Sequence, residues 1–382
     1  MYLSERVKKV SPSATLSLNA RVKELLRKGE EIINLSVGEP DFPTPDRIKE
    51  EGIKAIKDNF TRYTPPPGIP ELREAISEKF LRENGIDYKV EEIMVTCGAK
   101  DALYILFQSI LNPGDEVIIF SPYWVIYPEQ VKLAGGNPVV IATGEDHFPD
   151  LEQLERSITP RARAIILNSP CNPSGRVFPQ ELVEKITELC IAKDVYLVSD
   201  EIYEKIIFKG KSFSPASLSR SAKKITLTIN GVSKTYSMTG WRIGYVAGSK
   251  EIIQAMSRIQ SQSVSCPSSI SQKAALEALK GGEKEVLEMV DVFKKRKEFI
   301  EGSLNKLPFI TLSPIEGTFY AFPRVTYKNM NSEDFSFYLL DRAKVAVVPG
   351  KPFGKNGYIR LSFATSMDNL RKALQRMEEI AD

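Results

Sequence analysis

Four apolar, β-branched runs in this chain are each closed or followed by residues able to do chemistry. IMVT (93–96) leads into Cys97-Gly98-Ala99-Lys100, and AIILN (164–168) into Ser169-Pro170-Cys171-Asn172-Pro173-Ser174-Gly175. VYLVSD (195–200) ends in Asp200 with Tyr203 three residues on, a spacing that can set the two side by side. ITLTIN (225–230) leads into Gly231-Val232-Ser233-Lys234. A fifth run, IGYVAG (243–248), is instead preceded by Met238-Thr239-Gly240-Trp241-Arg242, with the arginine eight residues past the lysine. In open α/β sheets ligands bind beyond the carboxyl ends of strands, so a carboxylate, a phenol, an amine and a guanidinium are expected to converge on one sheet edge. Gly98 and Ala99 are small and open a helix, where backbone N–H groups and the positive helix end suit a phosphate. The same segment also reads as an ordinary strand-to-helix turn.

One count prunes the mechanisms. The only histidine, His147, lies in TGEDHFPD, a polar stretch that reads as a solvated loop. A His-dependent triad or a multi-histidine metal site has no other histidine to draw on. The chemistry is left to Lys, Asp, Tyr and Arg, and no metal is expected. Cys97, Cys171, Cys190 and Cys266 show no CxxC spacing and read as reduced thiols.

These residues need a frame. Strand candidates at 93–96, 116–120, 164–168, 195–200, 225–230 and 243–248 alternate with AKDALYILFQSIL, PYWVIYPEQVKLAG and PQELVEKITELCIAKD, whose apolar residues recur at helical spacing. The pattern predicts an α/β fold: a large domain with a mainly parallel, doubly wound sheet. Later come long charged helix formers through Lys306, alternation in GTFYAFP, VAVVP and YIRLSFA, and a final helix in SMDNLRKALQRMEEIAD, which predict a smaller α+β domain. The turn-rich first forty residues cannot build a core alone and are expected to pack on that smaller lobe. The division expected is 1–44 as an N-terminal segment, 45–285 as the large domain and 286–382 as the small one.

With 52 Lys and Arg against 49 Asp and Glu, the net charge of +3 gives no footprint for nucleic acid. The start, MYLSERVKKV, is charged, and no run reaches the roughly 18 uncharged residues of a membrane span. A cytoplasmic protein is expected.

SVGEPDF (36–42), YTPPPGIPELREAI (63–76), SPYWVIYPE (121–129), NSPCNPSG (168–175), VSDEIYE (198–204), SKTYSMTGWRIGY (233–245) and YIRLSFATS (358–366) together resemble the fold-type-I pyridoxal-phosphate enzymes. More closely, the chain is similar to the aspartate-aminotransferase-like aminotransferases of bacteria and archaea. The resemblance spans nearly the whole chain and implies pyridoxal 5'-phosphate as cofactor and transamination between an amino acid and a 2-oxo acid. It implies Lys234 as the lysine that forms an imine with the cofactor and then shuttles the substrate proton, Asp200 as partner of the pyridine nitrogen, and Tyr203 and Asn172 as donors to the ring oxygen. Trp124 is implied on the ring face, with a plain core role as its alternative. Arg242, Gly98, Ala99, Lys100 and Ser233 are implied around the phosphate, and Arg360 as the clamp on the substrate carboxylate, with Gly38 beside it. Tyr63 is implied to reach the phosphate of a neighbouring subunit, which makes a homodimer the expected unit.

Relatives often carry serine where this chain has Gly231, so Ser233 or Asn230 is expected to substitute. Lys100 and Thr15 match positions at the side-chain pocket of relatives. A cation there favours dicarboxylic donors such as aspartate and glutamate, with prephenate amination as a second activity. The alternatives are that Lys100 only neutralises the phosphate, that the donor is aromatic or alanine, or that the chain is a fold-related lyase. A cofactor-binding transcriptional regulator is a further class, but no DNA-reading module is visible.

Overall fold

The computed structural model describes residues 2–11 and 16–380; Thr15 lies outside them. Numbering within the central sheet, the strands are β1 (Ile93–Thr96), β2 (Glu116–Ser121), β3 (Asn137–Ala142), β4 (Ala162–Asn168), β5 (Tyr196–Asp200), β6 (Thr226–Gly231) and β7 (Gly244–Ala247). Their order across the sheet is β1-β7-β6-β5-β4-β2-β3. All run parallel except β7, which is antiparallel to both its neighbours. Strands covered on both faces read as continuous apolar runs, and β1, β2, β5, β6 and β7 are buried almost throughout. Helices Ala99–Ile110 and Lys250–Ser263 close one face, burying Leu103, Leu106, Ile253 and Met256 against Met94, Leu227 and Val246. Helices Leu151–Ser157 and Gln180–Lys193 close the other, with Leu154, Val183 and Ile186 against Ile118, Ile165 and Leu197.

β3 is the strand that periodicity does not reveal. Its NPVVIA sequence follows Gly135-Gly136 and carries Pro138, which suits only an edge, and β3 is the edge strand with a mostly uncovered face. The helix expected over 122–135 forms only from Ile126 to Leu133, because the preceding residues are held by the small lobe: Tyr123 N–H donates to Phe353 O at 3.1 Å.

The smaller lobe is a three-stranded antiparallel sheet, Tyr320–Ala321, Ile359–Ser362 and Val348–Pro349, packed with helices Glu283–Leu304 and Met367–Glu379. The N-terminal segment joins it. Strand Ile33–Asn34 pairs in parallel with Val345–Ala346, and Leu18, Val22 and Leu25 of helix Leu16–Arg27 bury against Leu340 and Ala346. The first residues reach back to the large lobe, where Ser11 N–H donates to Glu129 Oε2 at 2.7 Å.

His147 corrects an expectation. It is on a loop with a left-handed φ of 66°, but it is 3% exposed rather than solvated. The loop is drawn into the seam between lobes. Glu145 pairs with Arg324, Asp146 O accepts from Arg176 Nε, and Lys355 Nζ donates to Thr143 O. The imidazole lies edge-on to Phe322 and Tyr358, and both ring nitrogens lack partners among the described residues. Burial, helped by the Lys355 and Arg176 charges, pushes its pKa down to about 4. The unfolded chain therefore binds the extra proton first as pH falls. This group's effect on stability is absent above about pH 6.5, grows to a loss of about 3 kcal/mol near pH 4, and levels off below. A single histidine gives one imidazole signal, so NMR titration should find a midpoint near 4; a midpoint at or above 6.5 would contradict the burial.

Candidate active site

The carboxyl edge of the sheet opens into a cavity of about 690 Å³ between the lobes. It is lined by Gly38, Ala99, Lys100, Trp124, Asn172, Asp200, Tyr203, Ser233, Lys234, Arg242 and Arg360, so eleven of the residues singled out from sequence share one space. Gly98 does not line it but packs against the Arg242 guanidinium that does. Tyr63 does not line it and is 88% exposed, on the loop before helix Pro70–Lys79.

Each side chain is delivered by its strand. β5 ends on Asp200, which is 1% exposed, and the following turn brings Tyr203 alongside. Burial pushes the Asp200 carboxyl up to about 6, opposed by a hydrogen bond from Tyr127 Oη to Asp200 Oδ2 at 2.6 Å and one from the Ile202 N–H. Tyr127 also stands edge-on to Trp124, with ring centroids 5.7 Å apart. One phenol thus orients both the carboxylate and the aromatic face.

β6 ends on Gly231, and three residues later Lys234 enters the cavity. Its Nζ donates to Gly38 O at 2.7 Å and is paired with no carboxylate among the described residues. Burial, joined by the Arg360 charge, pushes the ammonium pKa down to about 8. Near neutrality this amine is therefore poised to lose its proton, as a nucleophile or base requires.

Gly98 shows how the opposite end is built. Its φ is 96°, and a Cβ there would sit 2.3 Å from Arg242 Nη2. Only glycine lets the guanidinium lie on the loop, where it donates to Cys97 O at 3.1 Å and to Thr239 O at 2.8 Å. The loop in turn rests on β7, since a Cβ on Gly244 would fall 2.3 Å from Ala99 N. Asp101 and Ala102 N–H donate to Gly98 O, while those of Ala99 and Lys100 precede the helix's first carbonyl bond, so a helix start and an arginine face the same space. Ser233 lines it too, but Asn230 does not: its amide is spent on Glu204 and on Gly231 N–H. A Cβ on Gly231 would lie 2.9 Å from Gly244 Cα, so the strand pair excludes a serine there. The Asn230 amide is thus engaged elsewhere, and of the two expected substitutes only Ser233 faces the cavity.

Arg360, on strand Ile359–Ser362, is 6% exposed and has no carboxylate partner among the described residues. Nη1 donates to Asn172 Oδ1 at 3.1 Å and Nη2 to Ser36 O at 3.0 Å, while buried Nε is unpaired. Its guanidinium lies over Tyr320, 4.4 Å from the ring centroid, and Tyr320 Oη meets Tyr203 Oη at 3.0 Å. A Cβ on Gly38 would press on Tyr320 Oη at 3.1 Å, which accounts for glycine at that position. Sequence reading passed over Tyr127 and Tyr320. Tyr127 falls three residues after Trp124, and Tyr320 lies in the alternation of GTFYAFP, but neither spacing names a partner on a distant strand.

A model of the family described as aminotransferase class I and II matches residues 30–377. The chain belongs to this family. It is 47% identical over 383 residues to the aspartate/prephenate aminotransferase of Thermus thermophilus, covering 99% of this chain and 98% of that one. It is 46% identical to the aspartate aminotransferase of Geobacillus stearothermophilus over 100% and 99% of the two chains. The solved structure of Thermus thermophilus aspartate aminotransferase with maleate superposes with a TM-score of 0.96 at 45% identity, covering both chains in full. The Thermotoga maritima aspartate aminotransferase structure gives 0.95 at 40% identity, over 99% of each chain.

The chain is therefore an aminotransferase, and its cofactor is pyridoxal 5'-phosphate. The cavity fits that group on its own terms. A phosphate has the helix end and Arg242, a pyridine nitrogen has a buried carboxylate, an aldehyde has a desolvated amine, and a planar ring has Trp124.

Proposed function

We propose that this aminotransferase takes dicarboxylic amino donors, aspartate and glutamate, with 2-oxoglutarate or oxaloacetate as acceptor, and that prephenate is a further acceptor. The observation that carries the reading is Lys100. Its ammonium stands at the cavity, 5.5 Å from the Trp124 ring centroid, and pairs with no acid among the described residues. Arg360 already offers a bidentate clamp for an α-carboxylate, so a second cation leaves room for a second carboxylate. The printed names of the relatives, aspartate and aspartate/prephenate aminotransferase, support the same class. Nearby Arg242, which together with burial lowers the Lys100 pKa, favours the competing view that Lys100 serves the phosphate.

The bound cofactor supplies an electron sink for the pair released at the substrate α-carbon. The rest falls to this chain. Arg360 holds the α-carboxylate, with Asn172 Oδ1 fixing one of its nitrogens and leaving the Asn172 amide free to donate toward the ring oxygen. Lys234 Nζ would hold the cofactor's aldehyde, and as a desolvated amine it is the group placed to take and give back the substrate α-proton. Asp200 keeps a proton at the pyridine nitrogen; the Tyr127 hydrogen bond and burial set how tightly. Tyr203, tied to Tyr320, is held at the ring-oxygen side. Arg242, Ser233 and the Gly98–Ala99 turn take the phosphate.

A homodimer completes the reading. Tyr63, almost wholly exposed, and the exposed Arg242 are left without the cover a catalytic cavity needs, and the phenol is assigned to a partner subunit's phosphate.

Three measurements test these assignments. Borohydride reduction of the holoenzyme followed by peptide mapping should label Lys234, and a label on any other lysine ends that assignment. In Lys100→Ala the ratio of kcat/KM for aspartate over alanine should fall on the order of tenfold or more, since pairing in a water-poor pocket far outweighs pairing in solvent. An unchanged ratio with weaker cofactor retention would transfer Lys100 to the phosphate. Sedimentation should report a dimer, with Tyr63→Phe losing cofactor more readily than the native enzyme; a fully active monomer would refute the shared site.

A further inference from the structure

Behind the catalytic cavity lies a buried charged cluster to which the reaction assigns no role. Lys79, the last residue of helix Pro70–Lys79, is 3% exposed and is ion-paired with Glu204, itself 9% exposed. Asn84, at the end of the π-turn Phe80–Asn84, accepts from Lys79 Nζ at 2.8 Å and donates to Glu204 Oε2 at 2.9 Å. Asn230 Nδ2 donates to Glu204 Oε1 at 2.7 Å, and Asn230 Oδ1 accepts from Gly231 N–H at 2.7 Å. Both Glu204 oxygens and the Asn230 amide are matched, and Glu83, 3.7 Å from Lys79 Nζ, pairs outward with Lys205, so the centre is a connected network of the kind that rigidifies its surroundings.

The two ends of this network are what give it consequence. Glu204 directly follows Tyr203 on the turn that leaves β5 with Asp200, and its own N–H donates to Glu201 O at 2.9 Å. Asn230 and Gly231 close β6 and start the turn that carries Ser233 and Lys234. Parallel strands share no hairpin, so nothing in the local chain fixes one turn against the other. The sheet ladder ends with Glu201 N–H donating to Ile229 O at 2.9 Å, and beyond it the turns are joined by a carboxylate–amide pair, held in place by a lysine from a third element.

We propose that Lys79, Glu204 and Asn230 form a brace that sets the Lys234 turn at its working distance from the Asp200–Tyr203 turn, acting as positioning residues for proton transfer. The proposal rests on the roles assigned above to Lys234 and Asp200. Proton transfer is sensitive to small displacements, and misplacement of about 1 Å can cost on the order of a hundredfold in rate. Ground-state binding through Arg360 is made on the other lobe and does not depend on the brace.

The test uses the holoenzyme and the double variant Lys79→Met/Glu204→Gln, which removes both charges at nearly constant volume. Such neutral replacement of a buried pair is often tolerated, whereas removing one partner strands a charge. Expected are native cofactor content and a KM for aspartate within about twofold, with kcat lowered on the order of tenfold. The pH midpoint of the cofactor–lysine absorbance should shift as well. A kcat within twofold of native and an unmoved midpoint would overturn the brace. Asn230→Ala, which keeps the ion pair, is the second variant and should show the same split between kcat and KM. If neither variant folds, the cluster is a stability element and the positioning role is wrong. Mapping the reduced lysine reports separately on Lys234, so a failure of that assignment is not mistaken for a failure of the brace.

Discussion

Removing charges from water while keeping them usable is the constraint around which this molecule is arranged. Lys234 is desolvated with only a carbonyl oxygen as its partner, and Asp200 is desolvated with a phenol and one backbone N–H. Each would be costly in an apolar core. Each is tolerable here because the cavity between the lobes supplies it with polar partners, and because the groups are distributed over separate strand ends whose positions are fixed by sheet register. The displaced acidities, a lysine near 8 and an aspartate near 6, are the electrostatic record of that compromise.

The glycines at the phosphate end express the same demand sterically. Gly98, Gly231 and Gly244 are stacked so closely that side chains at any of them would collide with Arg242 or with neighbouring backbone. The departure at Gly231, which from sequence alone looked like a missing hydroxyl, is better described as the packing condition for β6 against the reversed strand β7. A backbone brought this close leaves the Arg242 guanidinium and the Ser233 hydroxyl lining the same cavity.

Much of this was legible in the residues. Strand runs ending in Asp200, preceding Lys234 and following Arg242 placed the chemistry on one edge, because period and burial are local properties. What was not legible has a common cause. Tyr127 on Asp200, Tyr320 on Tyr203, and the sealing of His147 by Phe322 and Tyr358 are contacts between residues far apart in sequence, with no spacing rule to announce them. The polar stretch around His147 reads as solvent-facing; only the approach of the small lobe reverses that. Likewise β3 hides behind Pro138 because edge strands are released from the pattern that betrays central ones. Thr15 falls outside the described residues, and its expected place at the pocket has no structural account.

The reversed strand β7 bears on the order in which the enzyme is made. Because it turns back against β6, Arg242 reaches the ligand edge from the front of its strand, and the groups assigned to the cofactor, from Gly98 through Asp200 and Lys234 to Arg242, are all encoded before residue 245. The guanidinium assigned to the substrate comes more than a hundred residues later, in Arg360. On a chain emerging from the ribosome the residues assigned to the cofactor thus appear before the substrate clamp, and domains generally fold as units from the amino-terminal side. The division of labour in space between the lobes is also a division along the chain, with the residues assigned to the cofactor encoded ahead of the clamp assigned to the substrate.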